Sequence, residues 1–262
     1  MSKKKCVLYG NCQIIIGIKS YLESQKDISL EIITMQSFTM IRKQIKIDYD
    51  LIKSCEIFIY QPVNDSYGEY SSNNFLQHLN SNCIKIGVPF LYMDSFFPLL
   101  PINIAHDIDG GKKIDENNIL NKEVIINLKK NHNNEDIIDL YDNYCIDFNF
   151  KKRFDDNINR IFDKEKICDI KIVDFILENY KDIKLFDMHH HPTKILFDKI
   201  AEQIFEKLKI CSGINENKWN GILSVENYPY SIYSINYFKF NWIKREDHNA
   251  HEYYKELIKN II

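Results

Sequence analysis

The block Tyr9-Gly10-Asn11-Cys12-Gln13 lies between two apolar runs, Cys6-Val7-Leu8 and Ile14-Ile15-Ile16-Gly17-Ile18. A strand that ends at a glycine, turns through a small polar residue and opens a helix sets Cys12 at the helix N-terminus. Unpaired backbone N–H groups there favour negative charge, so a thiolate or a developing oxyanion is stabilised. That is the layout of a nucleophile turn. It predicts a Cys12 pKa below the usual thiol value of about 8.5. The competing reading is a plain strand-to-helix turn whose cysteine packs as a small hydrophobe.

The second group is Asp187-Met188-His189-His190-His191-Pro192-Thr193. Successive side chains diverge in strands and helices alike, so three adjacent histidines do not converge on one metal. No HExxH or comparable carboxylate spacing accompanies them, and no metal is expected. One histidine acting as a base, at the end of a strand and just before a helix, fits better. Pro192 supports this, because proline suits the first helical turn and holds the preceding residue extended. A surface loop with incidental histidines is the alternative. Two reactive groups at C-terminal strand edges match the place where α/β sheets bind ligands, and the pair outweighs either half.

The elements needed to carry these groups are legible in the hydrophobic pattern. Strands are expected at Lys5 to Tyr9, Leu30 to Met35, Glu56 to Tyr60 and Cys83 to Val88. Helices are expected at Gln13 to Ser24, Met40 to Lys53 and Asn73 to Leu79, so strand and helix alternate through about the first ninety residues. That alternation predicts an α/β fold with a parallel sheet flanked by helices. From Asn117 to Tyr180 the chain is charged and periodic without a convincing strand. It reads as a helical insertion, residues 107–182, before a last short strand at Lys184 to Phe186. A helix from Thr193 or Lys194 to Lys209 follows, then a tyrosine-rich stretch and a polar terminal helix. The whole, residues 1–262, reads as one α/β domain.

Composition removes several function classes. Net charge is −3, which argues against a general nucleic-acid or anionic-membrane binder. Seven cysteines without a close CxxC pair suggest neither a disulfide framework nor a zinc ribbon. The basic start Met1-Ser2-Lys3-Lys4-Lys5 is followed by a run too short and too interrupted for a signal peptide. No apolar stretch is long enough to span a bilayer. A reduced, cytoplasmic protein without membrane insertion is expected, its oligomeric state left open.

In skeleton the sequence resembles the SGNH/GDSL hydrolase superfamily, and more closely the capsular polysaccharide biosynthesis acetyltransferases of the WcbI type. The first matching block is Gly10-Asn11-Cys12-Gln13, with cysteine where the hydrolases have serine. The late block is Asp187 to Thr193, whose His191-Pro192-Thr193 resembles the histidine-proline motif of the WcbI type. Ile59-Tyr60-Gln61-Pro62 and the Val88-Pro89-Phe90 to Pro98 segment agree. The resemblance spans roughly residues 5 to 100 and 184 to 209. An Asp-x-x-His spacing selects Asp187 with His190, whereas the histidine before proline is His191; the more specific His-Pro-Thr match favours His191. The glycine-x-asparagine block of the hydrolases is absent, so Gln61, or else Asn64, would supply a side-chain oxyanion donor.

The resemblance implies acetyl transfer from acetyl-CoA to a sugar hydroxyl in capsule or other surface polysaccharide biosynthesis. Cys12 and a histidine base would act together, Asp187 would orient the histidine, and Gly10, Asn11, Gln13 and Gln61 would form the oxyanion and substrate site. The phosphates of CoA call for cations, for which Lys112, Lys113 and Arg153 are the candidates. Two other functions use the same residues. A thioesterase or glycan deacetylase would accept water, and a non-catalytic module would bind CoA or glycan without turnover.

Overall fold

The computed structural model describes residues 3–101, 119–211, 228–243 and 249–262. It divides into two compact units. The first comprises Met1–Tyr92, Ile158–Glu178 and Leu185–Glu226, and the second Met93–Asn157, Asn179–Lys184 and Asn227–Ile262.

The first unit is built on a four-stranded parallel sheet in the order β2-β1-β3-β4. Its strands are β1 (Lys4–Gly10), β2 (Leu30–Gln36), β3 (Ile57–Tyr60) and β4 (Ile84–Gly87). The central β1 and β3 are buried on both faces, and their sequences are accordingly near-continuous apolar runs. On one face Val7, Tyr9, Phe58 and Tyr60 pack with Met40, Ile52, Phe75 and Leu79. These last come from α2 (Ser37–Lys43), α3 (Tyr49–Ser54) and α4 (Ser72–His78), with Leu79 capping α4. The Tyr9 ring sits 4.6 Å from Phe75, and its hydroxyl donates to the Tyr70 carbonyl.

The single helix expected over Met40 to Lys53 is two. Gln44 takes a left-handed φ of 49° and ends α2, and the Asp48 carboxylate caps α3 by accepting the Leu51 N–H at 3.0 Å. The helix expected from Gln13 opens as a π turn, Gln13–Ile18, before continuing as α1 (Lys19–Glu23). Such turns concentrate at functional sites.

Strand register sets the working edge. Tyr9 is level with Tyr60, and Tyr60 with Gly87, so β1, β3 and β4 end together. The turn at Asn11–Cys12, the segment at Gln61 and the loop at Val88 therefore leave the same edge. The chain places β2 on one side of β1 and β3 on the other, which makes the end of β1 the switch point where such sheets bind ligands.

The last expected strand does not enter this sheet. β7 (Phe186–Met188) pairs antiparallel with β8 (His191–Pro192), Phe186 opposite Pro192 and Met188 opposite His191, with a register shift between them. Only two residues, His189 and His190, separate these strands, so the chain folds back on itself instead. The free side of β4 is met by residues 169 and 170, whose N–H groups donate to the Gly87 carbonyl at 2.9 and 3.2 Å. The Asp169 carboxylate accepts the Gly87 N–H at 2.8 Å.

The second unit is helical and aromatic. It holds α5 (Glu123–Leu128), α6 (Asn134–Asp142), α10 (Ile232–Phe238) and α11 (Asn249–Lys259). The two-residue strands β5 (Leu100–Pro101) and β6 (Ile119–Leu120) pair within it. Its core is a ring cluster of Phe96, Tyr230, Phe238 and Phe240, with centroid spacings of 5.1 to 6.5 Å. The helix α7 (Phe150–Glu165) carries the chain from the second unit into the first, and α8 (Val173–Asn179) returns it. Among the described residues no helix is long and apolar enough to cross a membrane.

Candidate active site

Asn11 organises the turn after β1. Its carbonyl accepts the N–H groups of Ile14 at 3.1 Å and Ile15 at 3.0 Å, and its Oδ1 accepts the Gln13 N–H at 2.9 Å. Cys12 stands between them with helical angles, φ −55° and ψ −31°, at the head of the π turn. Gly10 is demanded by close approach. A Cβ there would lie 2.9 Å from both Gln61 Oε1 and Ile14 Cγ1, closer than real Cβ atoms come. That Gln61 oxygen accepts the Asn11 N–H at 3.0 Å.

Gln13 and Gln61 form a buried amide pair. Gln61 Nε2 donates to Gln13 Oε1 at 3.0 Å, and the Leu91 N–H donates to the same oxygen at 3.2 Å. Gln13 Nε2 donates to the carbonyls of Leu91 and His190, both at 2.8 Å. Both hydrogens and both lone pairs of the Gln13 carboxamide are thus used on the protein. Its role here is a clamp that joins the cysteine turn, the segment after β4 and the histidine hairpin. Gln61 likewise spends its oxygen and one amide hydrogen inside the turn.

The Cys12 thiol departs from the sequence expectation. It is half-buried, and burial pushes its pKa up; the N–H groups of Gln13 and of Cys12 itself pull it down but by less. Desolvation of the charged form outweighs the amide dipoles. At rest the Cys12 side chain is therefore a neutral thiol, which would need a base to lose its proton.

The histidine rings form a series of edge-on contacts. Ring centroids of His189 and His190 are 4.1 Å apart, and those of His190 and His191 are 4.2 Å apart. His190 Nδ1 lies 2.7 Å from His189 Nε2. His189 and His191 are buried and His190 half-buried. Asp187 is half-buried between Phe186 and Met188, both buried. The Tyr92 ring meets His189 edge-on at 5.2 Å, and the Arg160 guanidinium lies 5.1 Å from the centre of the Tyr92 ring.

The helix that follows the hairpin, α9 (Lys194–Leu208), is docked on the cysteine helix. Gly17 permits this, since a Cβ there would meet the Phe197 ring at 2.4 Å. The Tyr21 hydroxyl donates to the Asp198 carboxylate at 2.6 Å, which also binds Lys194 at 2.6 Å.

Gly10, Asn11, Cys12, Gln13 and Gln61 thus make one hydrogen-bonded cluster, and the bond from Gln13 to the His190 carbonyl ties the histidine hairpin to it. Of the expected cations, Lys112 and Lys113 lie outside the described residues. Arg153 belongs to the second unit and is engaged there. Its guanidinium donates to the Asp94 carboxylate at 3.1 Å and to the Phe97 carbonyl at 2.7 Å, which holds the start of α7 to the segment before β5. Sequence reading named the Val88 to Pro98 segment without singling out Leu91 or Tyr92 in it, and passed over Arg160. Arg160 stands alone between Asn159 and Ile161, so no charge run marks it. Among the described residues no group of three His, Cys, Asp or Glu side chains is arranged to hold a metal ion.

The profile of the family described as the polysaccharide biosynthesis enzyme WcbI matches residues 5–212. No curated protein matches the chain. A solved structure of WcbI, itself described as a novel polysaccharide biosynthesis enzyme, is similar over 99% of this chain and 90% of its own, with a TM-score of 0.69 and 19% identity. That structure is described as the native protein without a disulfide bond between coenzyme A and one of its cysteines. At this identity the likeness speaks for the fold.

Proposed function

Because the chain belongs to the WcbI family of polysaccharide biosynthesis enzymes, we propose that it transfers an acetyl group from acetyl-CoA to a sugar hydroxyl of a capsule or other surface polysaccharide, on an SGNH-like scaffold. One observation carries the reading: the buried Gln13 carboxamide binds the His190 carbonyl and so ties the reactive-cysteine turn to the histidine hairpin. The coenzyme A named with the related structure supports a CoA donor here. All seven cysteines are free, which suits a reduced, cytoplasmic setting.

In this reading His191 accepts the Cys12 thiol proton as Sγ attacks the thioester carbonyl carbon. The N–H of Cys12 steadies the oxyanion, and each such donor lowers the barrier by about 3 kcal/mol. Collapse breaks the bond to the CoA sulfur, which takes the proton from the imidazolium. A sugar hydroxyl then attacks the acetyl-cysteine and His191 accepts its proton. The carbon–Sγ bond breaks and the proton returns to Cys12. A raised Cys12 pKa suits this sequence, because the proton moves only when the acyl donor is in place. Asp187 orients the imidazole, and His190 is the alternative base.

Thiol release from acetyl-CoA, measured with and without added sugars, tests the assignment. Release that requires a sugar supports the transferase. Equal release into water identifies a thioesterase, and CoA binding without release identifies a binding module.

A further inference from the structure

We propose that Arg160, held on the face of Tyr92, binds the phosphates of the CoA donor, an assignment that rests on the CoA-dependent reading above. Arg160 is exposed, and among the described residues it has no carboxylate partner. Its recorded contact is the Tyr92 ring, 5.1 Å away. A guanidinium lying on an aromatic ring keeps the edge of its fork open, and that fork matches two phosphate oxygens.

The contact chain gives this cation a defined relation to the reacting groups. Tyr92 meets His189 at 5.2 Å, His189 meets His190 at 4.1 Å, and His190 meets His191 at 4.2 Å. Tyr92 also follows Leu91, whose backbone N–H and carbonyl both bind Gln13 in the cysteine turn. One end of this series is the base and the other is the cation. The pantetheine arm, which separates the thioester from the diphosphate, extends about 15 Å by ordinary chain dimensions. It suits a donor whose thioester lies at His191 and Cys12 and whose phosphates lie at Arg160. A nucleotide sugar has its phosphates directly on the sugar ring and suits this span less well.

Arg153, one face-repeat earlier on the same helix, cannot substitute while it holds Asp94 and Phe97. Arg160 is an exposed cation of α7 whose ring partner, Tyr92, meets His189.

Calorimetric titration of the whole chain with CoA, pantetheine and UDP-glucose tests the assignment. Arg160→Gln is expected to weaken CoA binding tenfold or more, to leave pantetheine binding and the unfolding temperature unchanged, and to flatten the salt dependence of CoA affinity. Arg160→Lys is expected to fall between the two, since it keeps charge without the fork. Equal CoA affinity in wild type and Arg160→Gln would overturn the phosphate anchor alone. Loss confined to UDP-glucose would assign Arg160 to the acceptor and overturn it too. No CoA binding by the wild type would remove the CoA reading and this proposal with it.

Discussion

The cysteine turn and the histidine hairpin reach the same edge of the first unit by different physics. The turn is fixed by short-range bonds: the Asn11 carbonyl and side chain close it, and Gly10 lets Gln61 approach. The hairpin has only two ladder pairs and a register shift. It is held by edge-on ring contacts among three histidines and Tyr92, by the Thr193 N–H on the Leu185 carbonyl, and by one hydrogen bond from the Gln13 carboxamide. A turn of the first kind carries its own instructions in four residues. A hairpin of the second kind depends on partners far away in the chain.

The contrast can be broken most strongly at the histidines. His191→Ala is expected to lower turnover by roughly a hundredfold or more, the scale of a lost general base. His190→Ala should cost less, because its carbonyl, the atom the clamp uses, remains. Steady-state rates of both variants decide it, and a dead His190→Ala beside an active His191→Ala would move the base by one residue.

The clamp comes next. Gln13→Ala strips partners from two carbonyls, the Leu91 N–H and Gln61 Nε2, all at a buried site. A loss of about 3 kcal/mol is expected in urea unfolding, with turnover falling alongside as the hairpin loosens. Gly17→Ala should cost about 1–3 kcal/mol by overpacking against Phe197, and it tests α9 docking without touching the turn. Unchanged stability in Gln13→Ala would mean that the turn and the hairpin are held independently.

The reading of the residues reached the sheet because β1, β3 and β4 are apolar runs that fit a buried parallel sheet and little else. It reached the Gly10–Gln13 turn for the same local reason. It placed the last strand in the sheet because Leu185–Phe186 is apolar, while the return through His191–Pro192 depends on pairing that hydrophobic pattern does not encode. It joined α2 and α3 because a left-handed Gln44 leaves no mark in composition. The Gln13–Gln61 pair was singled out for chemistry, and which protein groups its amides bind was not legible, since polar side chains suit either role until their partners are known. Arg160 was invisible because its partner, Tyr92, is 68 positions away on another segment.

The smallest effect separates dipole from burial at the cysteine. With its pKa raised, Cys12 stays protonated at neutral pH, so its alkylation should lag behind that of the exposed Cys145 and Cys211. Its rate should keep climbing as pH passes the ordinary thiol value of about 8.5. Mass mapping of iodoacetamide adducts against pH reads this directly. A Cys12 rate already level below that pH would restore the depressed pKa that the helix terminus alone implies.

Acyl capture is the step on which the whole account turns. The protein is incubated with acetyl-CoA in the absence of sugar, quenched in acid, digested and mapped by mass. One acetyl group is expected on the peptide bearing Cys12, absent in Cys12→Ser and lost on adding an acceptor sugar. Acetyl-CoA consumed on sugar addition, with Cys12 never acetylated and Cys12→Ser still active, would contradict it.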